Sequence, residues 1–283
     1  MEKIKKLITK FKEHNLDGYL VPKNDEFFSE YVPEYKDDLK FISNFSGSYG
    51  LALILKKKNF LFVDGRYTVQ ANQQSGKNFK IVQLPLFNNK KLNIKNKKIG
   101  FDPKLFNQRT IEQFSKTLGI KLIGVNDNLI NFPKKNKNNI FKKKFYILNN
   151  SITGKSPLKK INILKRYFYK NNIDVMLITS SENVAWLLNI RGNDSNYSPI
   201  PNCFLIIDKQ MRIFLFCDLK KIDKKFKNKL SFINIIEITE LENFLKKINN
   251  KNFLIDGLTC SVFFKDIIKK NNKILNNSDP IYF

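Results

Sequence analysis

Residues 60–71 read FLFVDGRYTVQA: an unbroken apolar run, then the turn Asp64-Gly65-Arg66-Tyr67, then a stretch able to start a helix. The run fits a strand buried on both faces, and aspartate followed by glycine closes it. Its opening returns at residues 214–218 as FLFCD. Moving outward from these two strands, LDGYLV at 16–21 returns in character as IDVMLI at 173–178, NFSG at 44–47 as NIRG at 189–192, and GFD at 100–102 as LID at 254–256. One such match would carry no weight, but four in one order argue for two copies of a single domain. Each copy reads as helix, buried strand, short helix, hairpin and later strand-helix elements. That is the α/β class, with a mixed β-sheet flanked by helices in each copy. The hairpin turns are the polar KKKN at 56–59 and DKQ at 208–210. Ser156-Pro157 supplies an N-cap and a first-turn proline to open the second copy. Between the copies, NFPKKNKNNIFKKK at 131–144 is polar and lysine-rich. Domains are therefore expected at 1–144 and 145–283, with trypsin cutting first in the connection.

The chain of 283 residues has room for two cores, because single domains usually hold about 100 to 150 residues. Of its 51 basic residues only Arg66, Arg109, Arg166, Arg191 and Arg212 are arginines, and the other 46 are lysines. The formal charge of +26 raises the question of nucleic acid. Lysines scattered among asparagines, isoleucines and phenylalanines follow the bias of an AT-rich coding sequence, whereas specific readers favour the planar fork of arginine. Composition thus argues for solvated charge and against a nucleic-acid partner. No apolar run approaches the roughly 20 residues of a membrane helix, so no membrane partner is expected. Cys203, Cys217 and Cys260 show no metal or disulfide spacing, Cys203 and Cys217 read as buried thiols in apolar runs, and a reducing, cytoplasmic setting is expected.

The chain carries few residues in patterns that mark catalytic chemistry. His14 is the single histidine, expected at the C-terminal end of a first helix that places Ile4, Leu7, Ile8 and Phe11 at helical spacing. No H-E-x-x-H pair exists, and Gly154-Lys155-Ser156 lacks the earlier glycine of a phosphate loop because Asn149 stands there. Asp17, Asp64, Asp102, Asp174, Asp218 and Asp256 fall at strand ends in both copies, where an aspartate caps backbone N–H groups more readily than it binds metal. No catalytic and no metal-binding residue is assigned. Trp186, in an apolar helical run, is expected in the core.

Two long stretches carry a resemblance. EYVPEYKDDLKFISNFSGSYG with VDGRYTVQA, within residues 30–71, and AWLLNIRGNDSNYSPIP at 185–201 resemble the N-terminal half of cytosolic-type Xaa-Pro aminopeptidases, and LDGYLVPKNDE at 16–26 extends the likeness. The resemblance implies two tandem creatinase-N-like domains of ribonuclease H-like topology. It also implies that the family's manganese and its peptide hydrolysis belong to a C-terminal domain beyond this chain, so that these residues are inactive alone. Ser278-Asp279-Pro280 starts a helix with only three residues left, which reads as an interrupted, truncated chain. Implied partners are a peptide substrate held by the catalytic domain and a second subunit of a homodimer. The sequence departs from the family at Phe28, where members have His, and at Tyr49, where they have Ala. The first departure counts against a substrate-facing role near Phe28.

Four residues are the substrate-facing candidates. Arg66 and Tyr67 sit on the corner after a buried strand, with pairing of Arg66 to Asp64 or Asp25 as the structural alternative. Arg191 and Asp194 lie in a proline-stiffened loop, with their mutual pairing as the alternative. Beside the aminopeptidase reading stand a free-standing binding or scaffold paralogue serving a separate catalytic subunit and, more weakly, a basic nucleic-acid binder.

Overall fold

The computed structural model describes residues 2–85, 92, 94–130, 143–195 and 197–282. The chain divides into two compact units, Met1–Lys137 and Asn138–Phe283, the break falling inside the lysine-rich stretch. Most of that stretch, residues 131–142, lies outside the described residues.

Unit one runs α1 (Glu2–Thr9), β1 (Gly18–Pro22), α2 (Asp38–Ser43), β2 (Gly50–Leu55), β3 (Asn59–Asp64), a 3-10 turn (Gly65–Tyr67), α3 (Thr68–Ser75), β4 (Lys80–Leu84), β5 (Lys98–Phe101), α4 (Gln108–Leu118) and β6 (Lys121–Gly124). Unit two begins with β7 (Tyr146–Ile147), α5 (Asn150–Thr153), α6 (Pro157–Lys170), β8 (Val175–Ile178), α7 (Ser181–Leu188) and β9 (Ile190–Arg191). It continues with β10 (Cys203–Asp208), β11 (Ile213–Cys217), α8 (Lys224–Lys229), β12 (Asn234–Glu237), α9 (Leu241–Lys246), β13 (Asn252–Ile255), α10 (Val262–Asn271) and β14 (Lys273–Asn276).

The two six-stranded sheets share one order: β4-β3-β2-β1-β5-β6 and β12-β11-β10-β8-β13-β14. In each, only the first strand of the hairpin, β2 or β10, runs antiparallel to its neighbours. The repeat extends to individual hydrogen bonds. Asp17 accepts from Lys98 N at 2.8 Å and Asp174 from Asn252 N at 2.9 Å, each carboxylate joining two parallel strands at their starts. At the far ends, Asp64 accepts from Arg66 N and Asp218 from Lys220 N, while Asp102 accepts from Lys104 N and Asp256 from Leu258 N, all at 2.8–2.9 Å. The strand-end aspartates are caps: each turns a strand into the next segment by satisfying an amide that the sheet has abandoned. Asn44 and Asn189 end α2 and α7 in the left-handed conformation at φ 65° and 56°, which asparagine tolerates better than most residues.

Each unit has its own apolar core. Leu7, Phe11, Tyr19, Leu39, Phe45, Leu61 and Val63 are buried in unit one, and Leu164, Phe168, Val184, Leu188, Leu205 and Leu215 in unit two. Each such side chain removed from water is worth about 1.5–3 kcal/mol before conformational entropy is counted. The first helix is shorter than its sequence spacing indicates. α1 ends at Thr9, Phe11 N bonds back three residues to Ile8 O, and Asn15 takes a φ of 51° to swing the chain into β1. His14 is therefore not at the end of that helix but exposed in the turns beyond it. Phe11 is still buried, so the spacing located the core side chains although it overran the helix. Ser278-Asp279-Pro280 leads into a 3-10 turn, Pro280–Tyr282. The three cysteines are buried free thiols, and burial pushes Cys217 and Cys260 up to about 12.

Candidate functional site

In both units the loops gather at one edge of the sheet, where β1, β3 and β5, or β8, β11 and β13, end. The two units furnish this edge differently. Unit one places residues 23–37 between β1 and α2, whereas unit two passes from β8 to α7 through Thr179 and Ser180 alone. The long connection of unit one is closed at its base by a buried Lys23–Asp37 ion pair, and Asp37 also caps α2 by accepting from Lys40 N. Inside it, Asp25 Oδ1 accepts from Phe27 N and Ser29 N at 3.0 Å each, while Oδ2 is buried without a partner. Burial raises the Asp25 pKa, and Lys36 opposes the shift. Phe28 holds a φ of 54°, a strained region for a bulky residue.

The corner after β3 carries Arg66 and Tyr67. Arg66 Nη2 donates to Asp64 Oδ2 at 2.7 Å and Nε lies 3.2 Å from both carboxylate oxygens, a fork made possible by the tight turn at Gly65. That hydrogen bond holds the Asp64 carboxyl below its usual value. The Arg66 side chain remains 76% exposed and lies over the Tyr67 ring at 5.4 Å. Tyr67 Oη reaches Ser48 Oγ at 2.8 Å, and its ring meets Phe45 edge-on at 5.8 Å. The corner thus sits on the turn that follows Asn44.

Unit two builds the matching corner with other chemistry. Lys221, three residues past Asp218 as Tyr67 is past Asp64, reaches Asp194 Oδ1 at 2.5 Å, and Asp194 Oδ2 accepts from Asn202 N at 2.7 Å. Asp194 is only 1% exposed. Its expected alternative partner was Arg191, but Arg191 Nη1 donates instead to the carbonyls of Ile190 at 2.8 Å and Ala185 at 3.2 Å. The loop it anchors is stiff. Gly192 N donates to Pro199 O, a Cβ on Gly192 would fall 2.8 Å from Pro201 Cα, and Ser195 and Ser198 form a bridge. Tyr197, at φ 63° and 92% exposed, stands at the tip. Sequence reasoning marked this loop and its tyrosine but not Lys221, whose partner lies 27 residues away.

Trp186 is not in the core. It is 48% exposed and covers Lys160, whose Nζ lies 4.0 Å from the ring centre and donates to Trp186 O at 2.6 Å and Asn189 Oδ1 at 2.7 Å. Burial lowers the Lys160 pKa, with Arg191 and Lys155 adding to the effect. Unit one repeats the arrangement with Lys3, which donates to Phe41 O at 3.0 Å and lies 4.1 Å from that ring. An aromatic at this position shields a lysine that ties two helices together, which is why the apolar run did not bury it.

Among the described residues no group of three or more His, Cys, Asp or Glu side chains is placed to hold a metal. The strand-end aspartates accept from backbone amides, and Asp64 and Asp174 also face Arg66 and Lys209.

The family models for the creatinase/prolidase N-terminal domain match residues 3–131 and 140–283. The chain belongs to the creatinase/prolidase N-terminal domain family. It is 29% identical over 96% of its length to a probable Xaa-Pro aminopeptidase P of Laccaria bicolor, covering 45% of that protein. It is also 28% identical over 97% of its length to Xaa-Pro aminopeptidase 1 of Dictyostelium discoideum, covering 48% of it. The chain spans about half the length of these relatives. A crystal structure of a Caenorhabditis elegans X-prolyl aminopeptidase, described as a cytosolic enzyme with a di-nuclear active site, superposes with a TM-score of 0.86. That match covers 98% of this chain and 50% of the other at 24% identity, and it shows the shared fold of the two units. No helix among the described residues is long and apolar enough to cross a membrane.

Proposed function

We propose that this chain acts in the cytoplasm as the N-terminal, non-catalytic region of an Xaa-Pro aminopeptidase, bounding access of short peptides to a metal-bearing domain and contributing to subunit contacts. The observation that carries this reading is the pair of creatinase-type units in tandem, whose carboxylates serve as caps while their loop edges present ordered polar corners. Manganese chemistry belongs to the relatives' remaining half in this reading. Arg66 is the substrate-facing residue: its fork is oriented by Asp64, and its exposed guanidinium can orient a peptide carbonyl or C-terminal carboxylate. Tyr67 fixes that corner through Ser48. Arg191 presents its remaining donors from β9, and Asp194 acts as a positioning residue that holds the loop of Tyr197.

Two measurements test it. The purified chain supplied with manganese hydrolyses no Xaa-Pro peptide above background; robust metal-dependent turnover overturns the reading. In a full-length enzyme carrying this region, Arg66→Ala and Arg66→Lys both lower kcat/KM by roughly one to two orders of magnitude with metal content unchanged, because lysine keeps the charge but loses the fork. Wild-type kinetics in both variants remove Arg66 from the substrate path.

A further inference from the structure

The edge opposite the loops has its own chemistry. In unit two an open cleft of 820 Å³ lies between residues 249–252 and the end of α10, lined by Lys251, Lys269, Lys270 and Lys273 with Asp174 and neighbouring asparagines. The asparagines build its walls. Asn250 N donates to Asn271 O at 2.8 Å, Lys251 N to Asn272 Oδ1 at 3.1 Å, and Asn272 Nδ2 to Ile248 O at 2.8 Å and Ile268 O at 3.2 Å. Two of these bonds, to Asn271 O and Ile268 O, cover carbonyls of the last turn of α10, so neutral donors meet the negative pole of that helix. Asp174, the carboxylate of the lining, is held by Asn252 N at 2.9 Å and by Lys209 at 3.7 Å. The four lysines are exposed, and none pairs with a carboxylate among the described residues.

Unit one repeats the ties at the equivalent place. Asn96 N donates to Gly119 O at 2.8 Å and Lys121 N to Lys97 O at 2.9 Å, matching Lys273 N to Lys251 O at 3.0 Å. The strand starts are thus pinned rigidly while their lysines stay unmatched. Ammonium groups around one concavity repel one another, and a ligand with several negative charges relieves that repulsion. The volume lies in the range of small-molecule sites, about 300–1,000 Å³.

We infer that this cleft binds a phosphate-bearing polyanion, with the four ammonium groups closing on its oxygens as point charges. The net charge of the chain alone selects no place for such a ligand; an open cleft lined by four exposed lysines, none of them paired with a carboxylate among the described residues, does. Calorimetric titration of the intact chain with inorganic triphosphate at about 50 mM salt tests it. The expected result is saturable binding of one triphosphate per chain, weakened about tenfold or more in Lys269→Gln/Lys273→Gln and unchanged in the charge-matched control Lys159→Gln/Lys165→Gln. Both variants should melt with the wild type, since these lysines are exposed. Equal loss in the two variants, or no saturable binding, overturns the site in favour of diffuse charge. A short single-stranded oligonucleotide identifies the source of the phosphate. Competition with triphosphate, lost only in the cleft variant, supports the site with nucleic acid as its ligand. Oligonucleotide binding that both variants weaken equally, without triphosphate binding, overturns it.

Discussion

The two units share a sheet order, a pattern of strand-end aspartates and a lysine–aromatic tie between helices, yet they differ along one edge. Unit one lengthens the connection after its central strand into residues 23–37; unit two shortens that passage and lengthens the next, between α7 and β10. The corner that braces the segment after α2 or α7 differs in kind, a neutral Tyr67–Ser48 hydrogen bond in one unit and a buried Lys221–Asp194 ion pair in the other. The comparison teaches that the sheet demands the caps, whereas the loop edge is where the same scaffold can carry different chemistry.

The largest expected effect breaks the ion pair. Lys221→Met leaves Asp194 buried and uncompensated, at a cost of about 3–5 kcal/mol, and adding Asp194→Asn recovers part of it. Tyr67→Phe in unit one costs only about 0.5–1.5 kcal/mol. Denaturant titration of the four proteins decides the matter. If Lys221→Met is as mild as Tyr67→Phe, the corners are equivalent and the contrast fails.

Next comes the lysine under the aromatic. Lys160→Met strips a donor from Trp186 O and Asn189 Oδ1 and should cost about 1–3 kcal/mol, while Lys3→Met, at an exposed site, should cost about 0.5 kcal/mol. Trp186 is the one tryptophan of the chain, so its emission reports the first change and is indifferent to the second. An unchanged spectrum in Lys160→Met would show that the ammonium does not sit against the ring.

A smaller effect depends on pH and belongs to unit one. Burial pushes Asp102 up to about 6. The folded state therefore holds a proton that the unfolded chain releases, so this contribution is complete below the unfolded pKa near 4 and is lost as pH rises through about 6. Moving from pH 7 to pH 5 should add about 1 kcal/mol of stability, and Asp102→Asn should remove that increment. Asp25, also raised, acts in the same direction and remains in the variant. Asp256, the counterpart in unit two, accepts from Leu258 N and also from Asp279 N. Asp256→Asn should instead lower stability at both pH values. Identical pH increments in wild type and Asp102→Asn would sink the assignment.

The smallest effect concerns stability at Arg66. Its pair with Asp64 is exposed, so Arg66→Ala should leave the unfolding midpoint of the chain unchanged. A drop of several degrees would make the corner structural and count against the substrate-facing role proposed for Arg66.

Much of this architecture was legible in the sequence because it rests on local rules. Apolar runs such as FLFVD and FLFCD are strands whatever surrounds them, Asp64 and Asp218 cap the turns they begin, and Ser156-Pro157 starts a helix by supplying an N-cap. The four ordered echoes fall on equivalent elements of two identical strand orders. At the loop edge, the sequence marked Arg66 and the 191–201 loop as corners, and the Arg66–Asp64 pair follows from adjacency in the chain.

What remained hidden depends on partners far away in sequence. Trp186 lies in an apolar run, and only the packing of α6 beside α7 shows that it covers Lys160 at the surface. Asp194 and Arg191 are close enough in sequence to pair, but the fold brings Lys221 to the carboxylate and carbonyls to the guanidinium. The sequence alone determined the two-copy α/β plan, because periodicity, turn residues and capping act over a few neighbouring residues. The tertiary structure alone decided which charges are buried, which are paired and which line the lysine cleft, because burial and electrostatic pairing are set by segments that meet only after the sheets have closed.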